Sequence, residues 1–123
     1  EESVLDITKR LSKYDIGMLV VVEDNISKIP IGVVTDRDVL NRVVMKELDP
    51  KKTNVSQVLT ENIISIGMKE HLATAVDKMK KNKVKRLVVL DEAGSLVGII
   101  SNSDIIKQFL EIRQQLLDLS VGF

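Results

Sequence analysis

Residues 32–38 read GVVTDRD and residues 98–104 read GIISNSD, so an apolar run that leads into a hydroxyl residue and an Asp occurs twice. The apolar runs upstream, LVVVED at 19–24 and LVVLDE at 87–92, repeat at nearly the same separation. Self-similarity at a fixed interval indicates duplicated structural units. The 123-residue chain is therefore predicted to contain two copies of one small unit.

Each copy has the pattern of a helix, a strand, a turn, a strand and a second helix. In copy two, Leu72, Val76 and Met79 lie at the i, i+4, i+7 spacing of an amphipathic helix. Two β-branched runs, 87–90 and 96–100, flank a short turn and predict a hairpin that is buried on both faces. The helix after this hairpin is long and apolar on more than one side, which indicates an interface.

Copy one follows the same order but starts later in its unit. Copy two opens with a lead-in, 55–59, that we predict to be one or two helical turns, followed by an extended stretch, 62–66. Val4 aligns with Leu72, so the matching strand of copy one would require residues before Glu1. The predicted class is α+β, with a first unit at 1–47 that lacks its N-terminal strand, a linker at 48–54 and a second unit at 55–123.

The composition excludes several kinds of protein. Lys plus Arg and Asp plus Glu both number 18, whereas nucleic-acid backbone binding needs a basic excess. The chain has no Cys for a disulfide or a thiolate site, and no apolar run long enough to span a membrane. No nucleophile–base pair, metal-ligand set or Walker-type loop is present, so we expect a cytoplasmic protein that is not an enzyme and holds no metal.

The repeated motif has two interpretations. Thr35 with Asp38, and Ser101 with Asp104, have the spacing of a capping box at a helix start. Asp is short for that role, however, and a Gly inside a strand is typical of a close approach by backbone or ligand. A hydroxyl and a carboxylate where a strand meets a helix also suit a sugar-phosphate ligand. Two occurrences in the same context therefore favour a paired binding site.

These motifs, together with the order VSQVLTENIISIGMKEHLATAVDKMKKNKVKRLVVLDEAGSLVGIISNSDII in copy two, resemble a pair of CBS domains, also called a Bateman module. The resemblance implies two tandem βαββα units packed sheet to sheet with pseudo-twofold symmetry. It also implies two clefts for adenosine ligands: AMP, ADP, ATP or S-adenosylmethionine. Each cleft takes its Asp motif from one unit and its adenine-facing strand residues from the other.

Carried onto this chain, the resemblance implies two sets of ligand-binding residues. The first cleft comprises Val33, Thr35, Arg37, Asp38, Ile63, Ile64, Val84, Lys85 and Arg86. The second, weaker cleft comprises Ile16, Gly17, Ile99, Ser101, Ser103 and Asp104. Asp38 would hold the ribose hydroxyls, and Arg86 would neutralise phosphate charge. Copy one has Gly17-Met18 where copy two has Lys85-Arg86, so the Asp38 cleft is the better predicted phosphate site.

The resemblance predicts a regulatory, energy-sensing module with an adenine nucleotide as its ligand and no other cofactor. A homodimer through the C-terminal helix, from Ile105 to Leu119, is also implied. Two alternatives stay open from the residues. One is a dimerisation module whose motifs are only helix caps. The other, less favoured, is nucleic-acid binding through the basic run Lys78–Arg86, which lacks the aromatic residues that stack on bases.

Overall fold

The computed structural model describes residues 2–14 and 16–122. Contacts divide the chain into two compact units, Glu1–Ile63 and Ile64–Phe123. Unit 1 contains α1 (Val4–Lys13), β1 (Met18–Val22), β2 (Pro30–Thr35), α2 (Asp36–Val39), a π-helical turn (Leu40–Val44) that continues α2, and a 3-10 turn (Val55–Gln57). Unit 2 contains β3 (Ser65–Gly67), α3 (Leu72–Asn82), β4 (Arg86–Leu90), β5 (Leu96–Ser101) and α4 (Asn102–Gly122). The α+β class and the duplicated helix–hairpin–helix order are confirmed.

Unit 1 is built on the β1–β2 hairpin, which is antiparallel from Met18 opposite Thr35 to Val21 opposite Gly32. The Ser3 hydroxyl caps α1 by accepting a hydrogen bond from the Asp6 backbone N–H. The apolar stripe of α1 then faces the hairpin, because residues three and four apart share one helix face. The buried core consists of Val4, Ile7, Leu11, Val34, Val39, Val43 and Val58.

Residues 53–60, here called the strap, close the core of unit 1. The Val4 N–H donates to the Thr53 carbonyl at 2.8 Å, and the Val55 N–H donates to the Glu2 carbonyl at 3.1 Å. Farther along, Thr60 and Val33 exchange two backbone hydrogen bonds of 2.9 Å. The lead-in of copy two therefore packs in unit 1, and the compact units meet at 63/64 although the second sequence repeat starts at 55.

Unit 2 has a three-stranded sheet in the order β3-β4-β5. Strand β3 runs parallel to β4, and β4 pairs antiparallel with β5 from Arg86 opposite Ser101. The core of this unit lies between the sheet and the two helices, and it consists of Ile66, Ala75, Met79, Leu87 and Ile105. Unit 1 has the corresponding β1–β2 pair, and its described residues form a two-stranded sheet.

Three predicted details differ from the structure. The second hairpin is buried on both faces only in β4, because Val97 and Ile99 of β5 are exposed. On α3, Leu72 and Val76 of the predicted stripe are also exposed, and Ala75 with Met79 provides the buried contacts. The lead-in forms a single 3-10 turn and is extended beyond Val58. The long α4 is apolar on several sides as predicted, and Ile105 is its one buried residue among those described.

Candidate functional site

The motif of unit 1 forms a complete capping box at the start of α2. The Asp38 N–H donates to Thr35 Oγ1 at 3.1 Å, and the Thr35 N–H donates to Asp38 Oδ2 at 2.9 Å. The expectation that Asp is too short for this role is therefore wrong. Thr35 has an extended backbone, with φ −107° and ψ 163°, which turns its N–H toward the first helical turn and within reach of a short carboxylate.

The Asp38 carboxylate keeps capacity beyond the cap. Thr60 Oγ1 lies 3.4 Å from both carboxylate oxygens, and Arg42 Nε lies 3.9 Å from Oδ1. The Asp38 side chain is 15% exposed. A carboxylate offers about four lone-pair sites, so the single short bond to Oδ2 leaves Oδ1 able to accept from a ligand. Asp38 is thus a half-buried acceptor held in a fixed orientation.

Thr60 and Arg42 are site residues that the sequence prediction missed. Arg42 lies four positions after Asp38, and i,i+4 spacing on a helical segment is a signal that could have identified it. Its Nη1 also donates to the carbonyls of Val58 and Leu59, at 2.9 and 3.1 Å. Thr60 gave no local signal, because it comes from the strap, 22 residues after Asp38.

The two motif glycines, Gly32 and Gly98, differ in the side chains that lie near them. A Cβ on Gly32 would lie 2.4 Å from the Leu59 Cγ, so the close neighbour in unit 1 is the strap. A Cβ on Gly98 would meet no atom of the described residues within 4 Å. Gly32 is therefore explained by the close approach of the Leu59 side chain, where the sequence had indicated backbone or a ligand. Nothing in unit 2 explains Gly98.

The motif of unit 2 forms the same cap in a more exposed setting. The Asp104 N–H donates to Ser101 Oγ at 3.1 Å, and the Ser101 N–H donates to Asp104 Oδ2 at 3.0 Å. Hydrogen bonding of the carboxylate to the Ser101 hydroxyl, and then to the Ser101 backbone N–H, holds the pKa of Asp104 below its ordinary value, because both donors favour the charged form. Ser103 is exposed beside them. Asp104 is therefore a solvated carboxylate, whereas Asp38 is enclosed.

The predicted adenine-facing residues occupy matching places in the two units. In unit 1 the Gly17 carbonyl accepts from the Asp36 N–H at 3.2 Å, and in unit 2 the Lys85 carbonyl accepts from the Asn102 N–H at 2.9 Å. Ile16 precedes the first of these carbonyls, and Val84 and Arg86 flank the second. In each unit these residues therefore lie beside the first residue of the motif helix.

The other predicted residues fall on either side of the boundary between units. Ile63 ends unit 1 and Ile64 begins unit 2, where the Ile64 carbonyl accepts from the Val88 N–H at 3.1 Å. Val33 and Arg37 lie with Asp38 in unit 1, and Ile99 lies with Asp104 in unit 2. Whether residues of the two units share one ligand stays a prediction.

Unit 2 also has an apolar pocket and an apolar groove. One has a volume of about 290 Å³ and includes the predicted residues Val84 and Lys85; its lining is Val76, Met79, Lys80, Val84, Lys85, Asn102 and Ile105. The other is a groove of about 430 Å³ along the exposed face of α4, and it is lined by Phe109, Ile112, Arg113, Leu116, Leu117 and Ser120. The first adjoins the predicted ligand residues, and the second lies on the predicted dimer helix.

Within residues 2–14 and 16–122, no group of three or more His, Asp or Glu side chains is placed to hold a metal ion. Their helices include none with both the length and the apolar character that crossing a bilayer requires.

Comparison with known proteins gives consistent matches along both units. The profile of the CBS domain family matches residues 1–45 and 55–111. The protein MJ0450 of Methanocaldococcus jannaschii is 30% identical over 117 residues, which cover 95% of this chain and 62% of that protein. The mitochondrial CBS domain-containing protein CBSX3 of Arabidopsis thaliana is 25% identical over 119 residues, which cover 94% of this chain and 57% of that protein. The chain thus spans about three fifths of the length of these relatives.

A solved structure places a ligand in one similar protein. The CBS domain protein PAE2072 from Pyrobaculum aerophilum, solved in complex with AMP, superposes with a TM-score of 0.75 at 26% identity. The match covers 83% of this chain and 76% of the Pyrobaculum chain. The similarity thus extends across both repeats and includes a protein that binds an adenine nucleotide.

Proposed function

This chain belongs to the CBS domain family, and from this premise we propose that it is a regulatory module that binds an adenine nucleotide in the Asp38 site. The observation that carries the proposal is the Asp38 carboxylate, which is oriented by the Thr35 cap and keeps Oδ1 available. AMP is the first candidate, because the similar Pyrobaculum protein was solved with AMP.

The geometry of Asp38 suits a ribose. A vicinal diol presents two O–H donors. A charged carboxylate accepts hydrogen bonds from them more strongly than a neutral acceptor does. Because the cap fixes the carboxylate before the ligand arrives, little side-chain entropy is lost on binding. The hydroxyl of Thr35 already accepts from the Asp38 N–H and can still donate its own proton to a ligand oxygen.

The cations of copy two supply the charge that a phosphate requires. Lys85 and Arg86 are exposed, and neither forms an ion pair with another described residue. Copy one has Gly17 and Met18 at the matching positions. We propose that Lys85 and Arg86 belong to the Asp38 site together with Ile63, Ile64 and Val84, as the family resemblance implies.

Such a ligand would act by shifting a conformational equilibrium. A nucleotide that contacts residues of both repeats favours the arrangements in which those residues can bind it together. Any partner or attached domain that prefers one of these arrangements would then respond to the nucleotide, and the coupling would be reciprocal.

Calorimetric titration with AMP, ADP, ATP and S-adenosylmethionine tests the proposal. Asp38→Ala should lower the affinity for the preferred ligand by about a hundredfold, because it removes two hydrogen bonds from the ligand to a charged acceptor. Asp104→Ala is the matched control, because it also removes the carboxylate of a capping box, and it should leave this binding unchanged. If neither variant changes the affinity, or if the folded protein binds none of the four ligands, the proposal is wrong.

A ligand-independent role in dimerisation is the second candidate, and the exposed face of α4 favours it. Phe109, Leu116 and several neighbours line a long apolar groove that is exposed to water unless another surface packs on it. We propose that a second copy packs there. Sedimentation analysis should then show a dimer that Leu116→Asp dissociates, whereas Ile26→Asp, at an exposed apolar position of unit 1, should leave the dimer intact. A monomer at every concentration would contradict this candidate.

A further inference from the structure

The apolar pocket of unit 2 lies where the end of α3 meets the start of α4. Met79 and Ile105, which are 7% and 6% exposed, line it and belong to the core of unit 2. Val84 packs against the same core, and the exposed side chain of Val76 completes the apolar lining. Because most of this lining is part of the core, the pocket is formed before any ligand binds.

The polar groups of the pocket are all hydrogen-bond donors or cations. Lys80 and Lys85 line it, and neither forms an ion pair with another residue that the structure describes. Both are exposed, and a lysine stem can cover apolar surface while its ammonium group stays in water. Asn102 adds a side-chain amide that can donate. The described lining contains no carboxylate to neutralise the two lysines.

The acidic residues next to this lining in the sequence have partners of their own. The Asp77 carboxylate lies 3.0 Å from the Lys81 ammonium group. The Asp104 carboxylate accepts a hydrogen bond from the Ser101 N–H at 3.0 Å. The two lysines of the pocket therefore keep their positive charge available for an anion.

The size of the pocket limits the ligand. Its volume of about 290 Å³ is at the lower end of the range of small-molecule sites. A water molecule takes about 30 Å³ in the liquid, so the pocket has room for about ten groups of that size. An aliphatic carboxylate such as octanoate has about this many non-hydrogen atoms.

We propose that this pocket binds a medium-chain aliphatic carboxylate, with its carboxylate at Lys80 and Lys85 and its chain against the apolar lining. Burial of the chain drives the binding, and the two ammonium groups select an anionic head group. Val84 and Lys85 are also proposed nucleotide residues, whereas Val76 and Lys80 are not, so the latter two report on this pocket alone. The binding does not require the nucleotide site of unit 1.

Titration of the whole chain with sodium octanoate, followed by methyl nuclear magnetic resonance spectra, tests the proposal. The methyl signals of Met79, Val84 and Ile105 should shift and saturate with a dissociation constant of about 1 mM, as expected for a ligand of about ten atoms. Octanamide has the same chain without the charge. It should bind about fivefold more weakly, because it forms no ion pair with the two exposed lysines.

Variants of the lysines test the selection of the head group. Lys80→Gln combined with Lys85→Gln should abolish the preference, so that octanoate and octanamide bind equally. Lys81→Gln is the matched control, because Lys81 lies on the same helix and pairs with Asp77. It should leave the preference for octanoate unchanged.

A second pair of variants tests the position of the chain. Val76→Asp places a carboxylate in the apolar lining and should abolish octanoate binding, because it repels the anion and removes an apolar contact. Leu72→Asp is its matched control, since both side chains lie on α3 and both are 46% exposed. It should leave the affinity unchanged, and both variants should retain the folded spectrum because neither side chain is buried.

Three results would overturn the proposal. The first is the absence of methyl shifts at Met79 and Ile105 at about 20 mM octanoate, far above the expected dissociation constant. The second is equal binding of octanoate and octanamide by the unmodified chain, which would mean that the lysines select nothing. The third is a set of saturating shifts at Thr35 and Asp38 instead, which would place octanoate in the proposed nucleotide site.

Discussion

The two units have the same caps and the same antiparallel hairpins, yet unit 1 is covered where unit 2 is open. Thr35 with Asp38 and Ser101 with Asp104 form capping boxes whose hydrogen bonds agree within 0.1 Å. Val4 and Leu72, at the starts of the equivalent helices, differ completely in burial. The duplicated motif thus reproduces local hydrogen bonding, whereas the burial of unit 1 depends on the strap, most of which belongs to the second sequence repeat.

The largest expected effect separates Val4 from Leu72. Val4→Ala should lower the free energy of unfolding by about 2 kcal/mol, because it removes two buried methyl groups and leaves a cavity under the strap. Leu72→Ala should cost less than about 1 kcal/mol, since that side chain is half exposed. Urea denaturation of both variants measures the difference. Equal losses would show that the two helix starts are equally buried in solution.

The motif glycines should respond in opposite ways. Gly32→Ala should cost about 1 to 3 kcal/mol, because the new Cβ overlaps Leu59 and the strap must move. Gly98→Ala should be neutral or stabilising by up to about 0.5 kcal/mol, since the space is open and Ala restricts the unfolded chain. Melting temperatures of the two variants provide the test. A loss at Gly98 as large as at Gly32 would mean that Gly98 has a close neighbour in solution.

The anchoring side chains give a smaller contrast. Arg42→Ala should lower the unfolding free energy by about 1 kcal/mol, because two strap carbonyls lose a charged donor but can be partly rehydrated. Gln108 occupies the matching position of the second repeat and is exposed, so Gln108→Ala should have no measurable effect. Hydrogen exchange adds a readout specific to the strap, since the Thr60 amide should exchange faster in the Arg42 variant only. Unchanged protection of Thr60 would show that Arg42 does not anchor the strap.

The smallest effect concerns the pH response of Asp104. Its pKa is lowered below the value of about 3.9 expected for an unfolded Asp, so its contribution to stability is present above that pH and is lost as the pH falls through the lowered pKa. Ser101→Ala should raise the pKa of Asp104, because the hydroxyl is the main cause of the shift.

A carbon-detected titration of the carboxyl groups measures this change and contains its own control. Asp24 also has a lowered pKa, caused by hydrogen bonds from Ser27 and Ile26, and Ser101→Ala should leave it unchanged. An Asp104 midpoint that does not move in the variant would show that the Ser101 cap is absent in solution.

Much of the fold could be predicted because it is set locally. The offset between the repeats located both hairpins and the helices after them, and each element was predicted from its own residues. The CBS domain assignment is confirmed by the family match. Hydrogen-bonded caps and alternating apolar runs depend on neighbours within a few residues, so one sequence contains the information that they require.

The surroundings of the site could not be predicted in the same way. The neighbour of Gly32 was interpreted as backbone or a ligand, because the side chain that approaches it, Leu59, lies 27 residues later in the chain. Thr60 was missed for the same reason. The exposure of β5 and of the start of α3 also depends on whether another segment packs on them. The periodicity of their own residues contains no information about that contact. The ligand assignment of the Asp38 site remains a prediction that the titrations test.

The strap has a consequence for the order of synthesis. A nascent chain that has reached residue 47 contains the first sequence repeat but lacks Val55, Val58 and Leu59 of the strap, which complete the core around Val4 and Val43. Unit 1 therefore cannot complete its core until Val58 to Thr60 have emerged, when synthesis of the second repeat has begun. Because domains generally fold from the N-terminus as they are made, the nascent first repeat waits with an exposed apolar surface. Completion of the core of unit 1 thus depends on residues that belong to the second sequence repeat.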